Sequence, residues 1–261
     1  MNTVVVTKRG ADRIRGGHLW IYRSDVISAQ DVSAGAIVAV RDQHGNFVGQ
    51  AFYSDRSEIT LRLLTRSDQQ IDGQWWRRRI RGAADRRQKI SESSNAYRLL
   101  NSEGDLVPSL IIDRYDDVLV LQTLAQGSEA IKPTLVEILV EEFSPRAIVE
   151  RNDLRVRELE GLPMVSGTLY GELPEELEIT QNGVRFVVSP LGGQKTGSFL
   201  DQRENRLAAR ALAHGRALDS FTFTGAFAIY LAGVCESVLG IDISAEAIDK
   251  ARRNARLNDA A

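Results

Sequence analysis

The 261-residue chain holds one cysteine, Cys235, and three histidines, His18, His44 and His214, far apart in sequence. A single thiol excludes an intramolecular disulfide and a multi-cysteine metal site, the scattered histidines argue against a histidine cluster, and no structural metal is expected. No apolar run approaches the roughly 20 residues that span a bilayer, so no membrane partner is expected. Lys8 and Arg9 follow Val4 to Val6, the reverse of a secretory signal, which makes the expected location cytoplasmic. At 43% hydrophobic and 26% charged residues, the composition is that of a globular protein long enough for two or three domains.

A formal charge of -2 conceals an asymmetry. Residues 1 to 95 carry 16 Lys+Arg against 10 Asp+Glu, and the remainder carries 17 against 25. A polyanion, if one binds, would touch the basic front; uneven solvated charge is the alternative.

Along that front, Ala36 to Asp42 and Phe47 to Tyr53 read as strands joined by the loop Gln43-His-Gly-Asn, with further strands at Ile59 to Leu64 and Thr3 to Thr7 and a short helix over Lys8 to Arg15. This is a small, mostly β barrel. From Asp72, placed to cap, to Ile90, the spacing of Trp76, Ile80, Ala83 and Arg87 predicts a helix. It carries seven basic residues, either a phosphate-facing ridge or a solvated outer face.

Residues 96 to 190 read as α+β: strands at Tyr97 to Leu100, Leu110 to Ile112, Val118 to Thr123 and Ala147 to Glu150, with a helix near Glu129 to Phe143. The hairpin Leu177 to Gln181, Asn182-Gly183, Val184 to Val188 follows a loop around Pro163, and Asn-Gly is favoured because both central residues need positive φ. The last part is one βαβα unit: strand Ala217 to Phe221, helix Gly225 to Ala232, strand Ser237 to Ile241, helix Ala245 to Asn258.

Asp219-Ser-Phe-Thr-Phe-Thr-Gly-Ala-Phe after the first strand and Gly240-Ile-Asp242 at the end of the second form an adenosine-site pattern. The glycine lets the backbone approach a ligand and the carboxylate can accept both ribose hydroxyls. With Gly225 alone in the loop there is no pyrophosphate cradle, which excludes a dinucleotide and suits a ligand without phosphates, such as S-adenosyl-L-methionine. Upstream, Gly193 to Arg206 is too polar for pure core and starts a helix near Leu200 to Asp201, setting Thr196, Phe199 and Gln202 over the pocket. Cys235, between the first helix and the second strand, reads as a small buried hydrophobe.

G-Q-K-T-G-S-F-L-D-Q-R-E-N-R, D-S-F-T-F-T-G-A-F and G-I-D-I-S-A-E-A-I-D-K-A-R-R-N, together with K-R-G-A-D-R-I-R-G-G-H-L-W-I-Y-R-S and Asn101 to Tyr115, resemble the large-subunit ribosomal RNA (cytosine-5) methyltransferase family with an N-terminal PUA domain. The resemblance covers nearly the whole chain. It implies an α/β and α+β multidomain fold: a PUA-like β barrel over 1–70, a linker helix and central α+β domain over 71–190, and the start of a Rossmann-like class I methyltransferase domain over 191–261.

By matching motifs, Lys195, Thr196, Phe199, Gln202 and Arg203 would line one side of S-adenosyl-L-methionine. Asp219, Phe221, Gly225, Ala226 and Phe227 would form the floor, and Asp242, Ile243 and Ser244 would hold the ribose. Ribosomal RNA is the implied partner, a homodimer is plausible, and Arg13, Arg15, His18, Trp20, Tyr22 and Arg23 are the groups for phosphates and bases. Trp20 is open between stacking and barrel core. The family's chemistry adds a cysteine thiolate to cytosine C6 so that C5 can attack the methyl group. That cysteine is expected beyond residue 261, so the chain reads as a C-terminally truncated, inactive methyltransferase making 5-methylcytosine in 23S ribosomal RNA. A non-catalytic RNA-binding protein and a small-molecule methyltransferase are the alternatives.

Overall fold

Alternation writes the first sheet: Val4 and Val6 on one strand and Val38 and Val40 on another are fully buried on a shared face. The computed structural model describes residues 2–193 and 195–260. Six strands, β1 (Thr3–Val6), β2 (Trp20–Tyr22), β3 (Val26–Ser28), β4 (Ile37–Asp42), β5 (Phe47–Tyr53) and β6 (Ile59–Thr65), run in the order β2-β6-β5-β4-β1-β3. β1 and β4 pair parallel, while β4, β5 and β6 form antiparallel ladders. Helix α1 (Lys8–Arg15) begins where Thr7 Oγ1 accepts the Gly10 N–H at 3.1 Å, and it sets Ala11 and Ile14 into the core under the strands.

Helix α2 (Gly73–Arg86) is capped by Asp72, whose carboxylate accepts the Trp75 N–H at 2.9 Å. The single helix expected over 72–90 ends at Arg86. Arg87 leaves helical geometry (φ -99°, ψ 4°) as its guanidinium donates to the Arg98 carbonyl at 3.1 Å, and α3 (Gln88–Ser91) follows. The second sheet contains β7 (Ala96–Asn101), β8 (Leu110–Tyr115), β9 (Val118–Thr123), β10 (Ala147–Asn152) and β11 (Val165–Gly171), in the order β11-β10-β9-β8-β7. The helix expected near 129–143 is α4 (Gln126–Ala130) and α5 (Lys132–Phe143), broken at Ile131, because Pro133 has no N–H to bond back to Glu129 and fits only a first turn.

The rest of the chain carries the hairpin β12 (Leu177–Gln181) and β13 (Val184–Val188), then α6 (Arg203–Leu212), β14 (Arg216–Asp219), α7 (Ala226–Ala232), β15 (Ser237–Gly240) and α8 (Ala245–Leu257). Asn182 and Gly183 take φ of 50° and 79°, as their turn requires. β14 and β15 pair parallel, Asp219 opposite Gly240. Contacts group the chain into two units: Met1–Arg86, Leu99–Ile112 and Leu119–Glu172 in one, and Arg87–Arg98, Asp113–Val118 and Leu173–Ala261 in the other.

Candidate functional site

In the second unit, the turns after β14 and β15 open on one side into a cleft of about 510 Å³. Asp242, just past β15, is the group that orders it. One carboxylate oxygen accepts the Phe223 N–H and the other the Ser244 N–H, each at 2.9 Å. These backbone bonds hold its pKa below the usual carboxylate value, so the group is an anion at neutral pH. Two backbone donors leave a carboxylate with free lone pairs to accept from a ligand's hydroxyls.

The turn before α7 is built around Gly225, at φ 82°. A Cβ there would lie 3.1 Å from the Ala251 Cβ, so glycine answers both the backbone conformation and the close approach of α8. Asn254, fully buried on α8, fixes this turn: its amide donates to the Thr224 carbonyl at 3.0 Å and accepts the Val187 N–H at 2.8 Å. Asp219 accepts the Ala228 N–H at 3.2 Å and so anchors the first turn of α7.

Aromatic rings supply the walls. Phe186, Phe199, Phe221, Phe223 and Phe227 all line the cleft, and Phe199 meets Phe223 edge to face with ring centres 5.9 Å apart. Arg206, 3% exposed, donates to the Phe199 carbonyl at 3.0 Å and to the Gln181 side chain at 2.8 Å. Thr222 lines both this cleft and a second one, and its hydroxyl is buried against the Gly240 position without a hydrogen-bond partner among the described residues. Apolar walls and an anchored carboxylate fit a nucleoside, and the single glycine in the turn offers no cradle for phosphates.

Of the residues singled out in sequence, Phe199, Gln202, Phe221, Ala226, Phe227, Asp242 and Ser244 come together in this lining. Others stand behind or beside it. Lys195 pairs with Asp201 at 2.9 Å and lies over the Phe199 ring. Thr196 is 1% exposed and bonds Asp113 and Tyr115, so it is turned away from the place over the pocket expected for it. Arg203 pairs with Glu204, Gly225 and Asp219 shape the turn, and the Ile243 side chain stands in solvent. Glu176, Phe186, Ser198, Thr222, Thr224, Glu246 and Lys250 line the cleft but were not singled out. The Glu246 to Lys250 spacing, one helical turn after Asp242, was the signal available for two of them.

Cys235 is half-buried, not the buried hydrophobe expected, because it lines a second cleft between α7, β15 and α8. No cysteine lines the first cleft. No group of three or more His, Cys, Asp and Glu side chains among the described residues could hold a metal ion.

In the first unit, Arg13 reaches Asp25 at 3.4 Å and lies over the Tyr22 ring, and Arg15 bonds Asp42 at 2.7 Å. Arg23 donates to the carbonyls of Asp55 and Ser57, both at 3.0 Å. Trp20, half-buried, donates its indole N–H to Glu103 at 3.0 Å, and the His18 ring meets it edge-on. Much of this basic and aromatic set therefore already has a partner within its own unit.

Residues 4–66 match a PUA-like domain. Residues 160–261 match the S-adenosylmethionine-dependent methyltransferase family. That match starts upstream of residue 191 and takes in the β12–β13 hairpin whose Phe186 and Val188 line the cleft. Proteins of Yersinia pseudotuberculosis and Yersinia pestis named ribosomal RNA large subunit methyltransferase I are 38% identical over 248 residues, 92% of this chain and 63% of theirs. The chain thus spans less than two thirds of the length of these relatives.

Two solved structures share the fold. One, described as a methyltransferase complexed with SAH, superposes with a TM-score of 0.81 at 20% identity, over 99% of this chain and 67% of that one. The other, described as a SAM-dependent methyltransferase from Streptococcus mutans, gives 0.79 at 21%, over 99% and 68%. The architecture is therefore a PUA-like domain with a methyltransferase fold. No helix among the described residues is long and apolar enough to cross a membrane.

Proposed function

We propose that this chain binds S-adenosyl-L-methionine in the cleft around Asp242 and engages ribosomal RNA through its PUA-like part. The activity we assign is methylation of large-subunit ribosomal RNA, with cytosine C5 of 23S ribosomal RNA as the acceptor. The observation that carries the reading is the anchored Asp242 carboxylate at the end of β15, facing a cleft walled by phenylalanines and closed by a one-glycine turn. The names of the 38% identical relatives support the substrate class.

When bound, S-adenosyl-L-methionine supplies a methyl group on a sulfonium. The residues of this chain would hold its adenosine: Asp242 accepts from the ribose hydroxyls while Phe199, Phe223 and Phe227 exclude water around the base. Lys195, Thr196, Arg203, Asp219, Gly225 and Ile243 contribute by shaping the surrounding turns. A cytosine C5 acceptor needs a thiolate at C6, and we assign that step to no residue here, since Cys235 lines the other cleft. Arg13, Arg15, His18, Trp20 and Arg23 are proposed for RNA, with the protein acting in the cytoplasm.

Titration calorimetry of the chain with S-adenosyl-L-methionine and S-adenosylhomocysteine tests this directly. Micromolar binding is expected, and Asp242→Ala should weaken it at least tenfold, about 1.4 kcal/mol. Wild-type affinity in that variant would remove the carboxylate from the site; no binding by the wild-type chain would sink the cofactor assignment.

A further inference from the structure

The cofactor cleft has one wall whose anchor lies far away in sequence. Gly193, Gly197, Ser198 and Phe199 form that wall, and the segment holding them is conformationally demanding. Lys195 sits at φ 53° and Gly197 at φ 136°. A Cβ on Gly193 would lie 2.6 Å from the Gly197 carbonyl oxygen, so two stretches of the loop touch backbone to backbone. Such a loop keeps one shape only if something outside it fixes it.

The fixing groups are Asp113 and Tyr115, at the end of β8. The Thr196 hydroxyl donates to Asp113 Oδ2 at 2.6 Å. Asp113 is wholly buried, and its charge is balanced by Arg98, which donates to both carboxylate oxygens, at 2.8 Å and 3.0 Å. With the Thr196 proton committed to the carboxylate, the Tyr115 hydroxyl, 3.0 Å from Thr196 Oγ1, donates to it and in turn accepts the Ser198 N–H at 3.0 Å. Burial and the charge of Asp113 push the Tyr115 phenol well up, so it keeps its proton at any physiological pH. The donors run in one direction, from Ser198 N–H through Tyr115 and Thr196 to the Asp113 carboxylate.

We propose that Asp113 and Tyr115 are positioning residues for the cofactor: through Thr196 and the Ser198 amide they lock residues 195–199 so that Ser198 and Phe199 form a preorganised wall of the cleft. This rests on the reading of the cleft as the S-adenosyl-L-methionine site. It also gives the stretch ending Asp113-Arg-Tyr115 a role at the site although neither Asp113 nor Tyr115 lines it. A wall held in place before binding spares the ligand the ordering of that loop, and losing the lock appears as lost affinity.

The test combines calorimetry with S-adenosylhomocysteine and hydrogen exchange of the peptide spanning 195–201, on Thr196→Val, Thr196→Ser and Tyr115→Phe. Thr196→Val keeps the shape and removes the hydroxyl; it should weaken binding about tenfold and raise exchange in the peptide by a similar factor. Thr196→Ser restores the hydroxyl and should return both to within about threefold of wild type, a rescue that loss of packing would not give. Tyr115→Phe leaves the Thr196 to Asp113 bond in place, frees the Ser198 amide and should weaken binding in the same direction, so it decides the matter if Thr196→Val unfolds. Wild-type affinity in both Thr196→Val and Tyr115→Phe would overturn the inference with the cofactor reading intact. Failure of the wild-type chain to bind would overturn the cofactor reading, and the inference with it.

Discussion

Asp242 shows how a single side chain can be tuned without burial. Its pKa is lowered by the backbone N–H groups of Ser244, Phe223 and Ile243, none of which titrates. A carboxyl with a depressed folded-state pKa contributes above its unfolded value and loses that contribution as pH falls through the folded one. An ordinary aspartate titrates near 3.9, so Asp242 stays ionised down to about that pH or below. Cofactor affinity should therefore be flat from about pH 5 to pH 8 and fall only below about pH 4. Calorimetry across that range, in buffers of matched ionic strength, checks the expectation; a fall centred near pH 6 would mean that a group other than this carboxylate controls binding.

At the scale of the element, α8 is the part that ties the site together, and Asn254 is the residue through which it acts. The side chain bonds both the edge of β13 and the turn at Thr224. Asn254→Ala strands a half-buried N–H at Val187 and a half-buried carbonyl at Thr224, which should cost about 1 to 3 kcal/mol of stability. Urea unfolding measures this, and a loss below about 0.5 kcal/mol would mean that water replaces both partners. The same helix marks the limit of what sequence pattern gives. Its span, the parallel pair β14 and β15 and the Asn182-Gly183 hairpin are local, carried by period, caps and turn chemistry, and they stood in the sequence. β11 did not: it is an edge strand whose alternation runs between half-buried and exposed residues, so no apolar period marks it. Nor could the Asp113 to Thr196 bond be read, since 83 positions separate the partners and a contact of that kind leaves no local trace. Asp242 was legible because strand, glycine and acid lie within one βαβ stretch. Phe186 was not, because the hairpin that carries it comes before the turns in the chain.

For the molecule as a whole, the question is where a polyanion would lie, and the arginines of the first unit narrow the answer. Arg9 and Arg13 are spent on Asp25, Arg15 on Asp42, and Arg86 on Asp105. Arg77 and Arg81 pair with Glu141 and Glu142 on α5, which leaves that side of α2 neutral. Arg78 and Arg79 differ. Both line two small adjoining clefts, of about 240 and 330 Å³, and no carboxylate pairs with either among the described residues. Burial is the main cause that lowers the Arg79 pKa; the charges of Arg86 and Arg78 lower it further, and that smaller, like-charge part is what a phosphate would relieve. Arg79 also lies over the Trp75 ring, with 4.8 Å from guanidinium to ring centre, which holds it in place. If RNA crosses this face, the double variant Arg78→Glu, Arg79→Glu should lower RNA affinity and flatten the plot of log affinity against log salt by about 1 to 2 units, since each lost phosphate contact removes about 0.7 to 0.9. Arg77→Ala, on the neutralised side, should leave the slope unchanged, and S-adenosylhomocysteine binding should be the same in all three proteins. An unchanged slope in the double variant would confine RNA to the PUA-like part, where Arg13, Arg15 and Arg23 would have to exchange their present partners for phosphates.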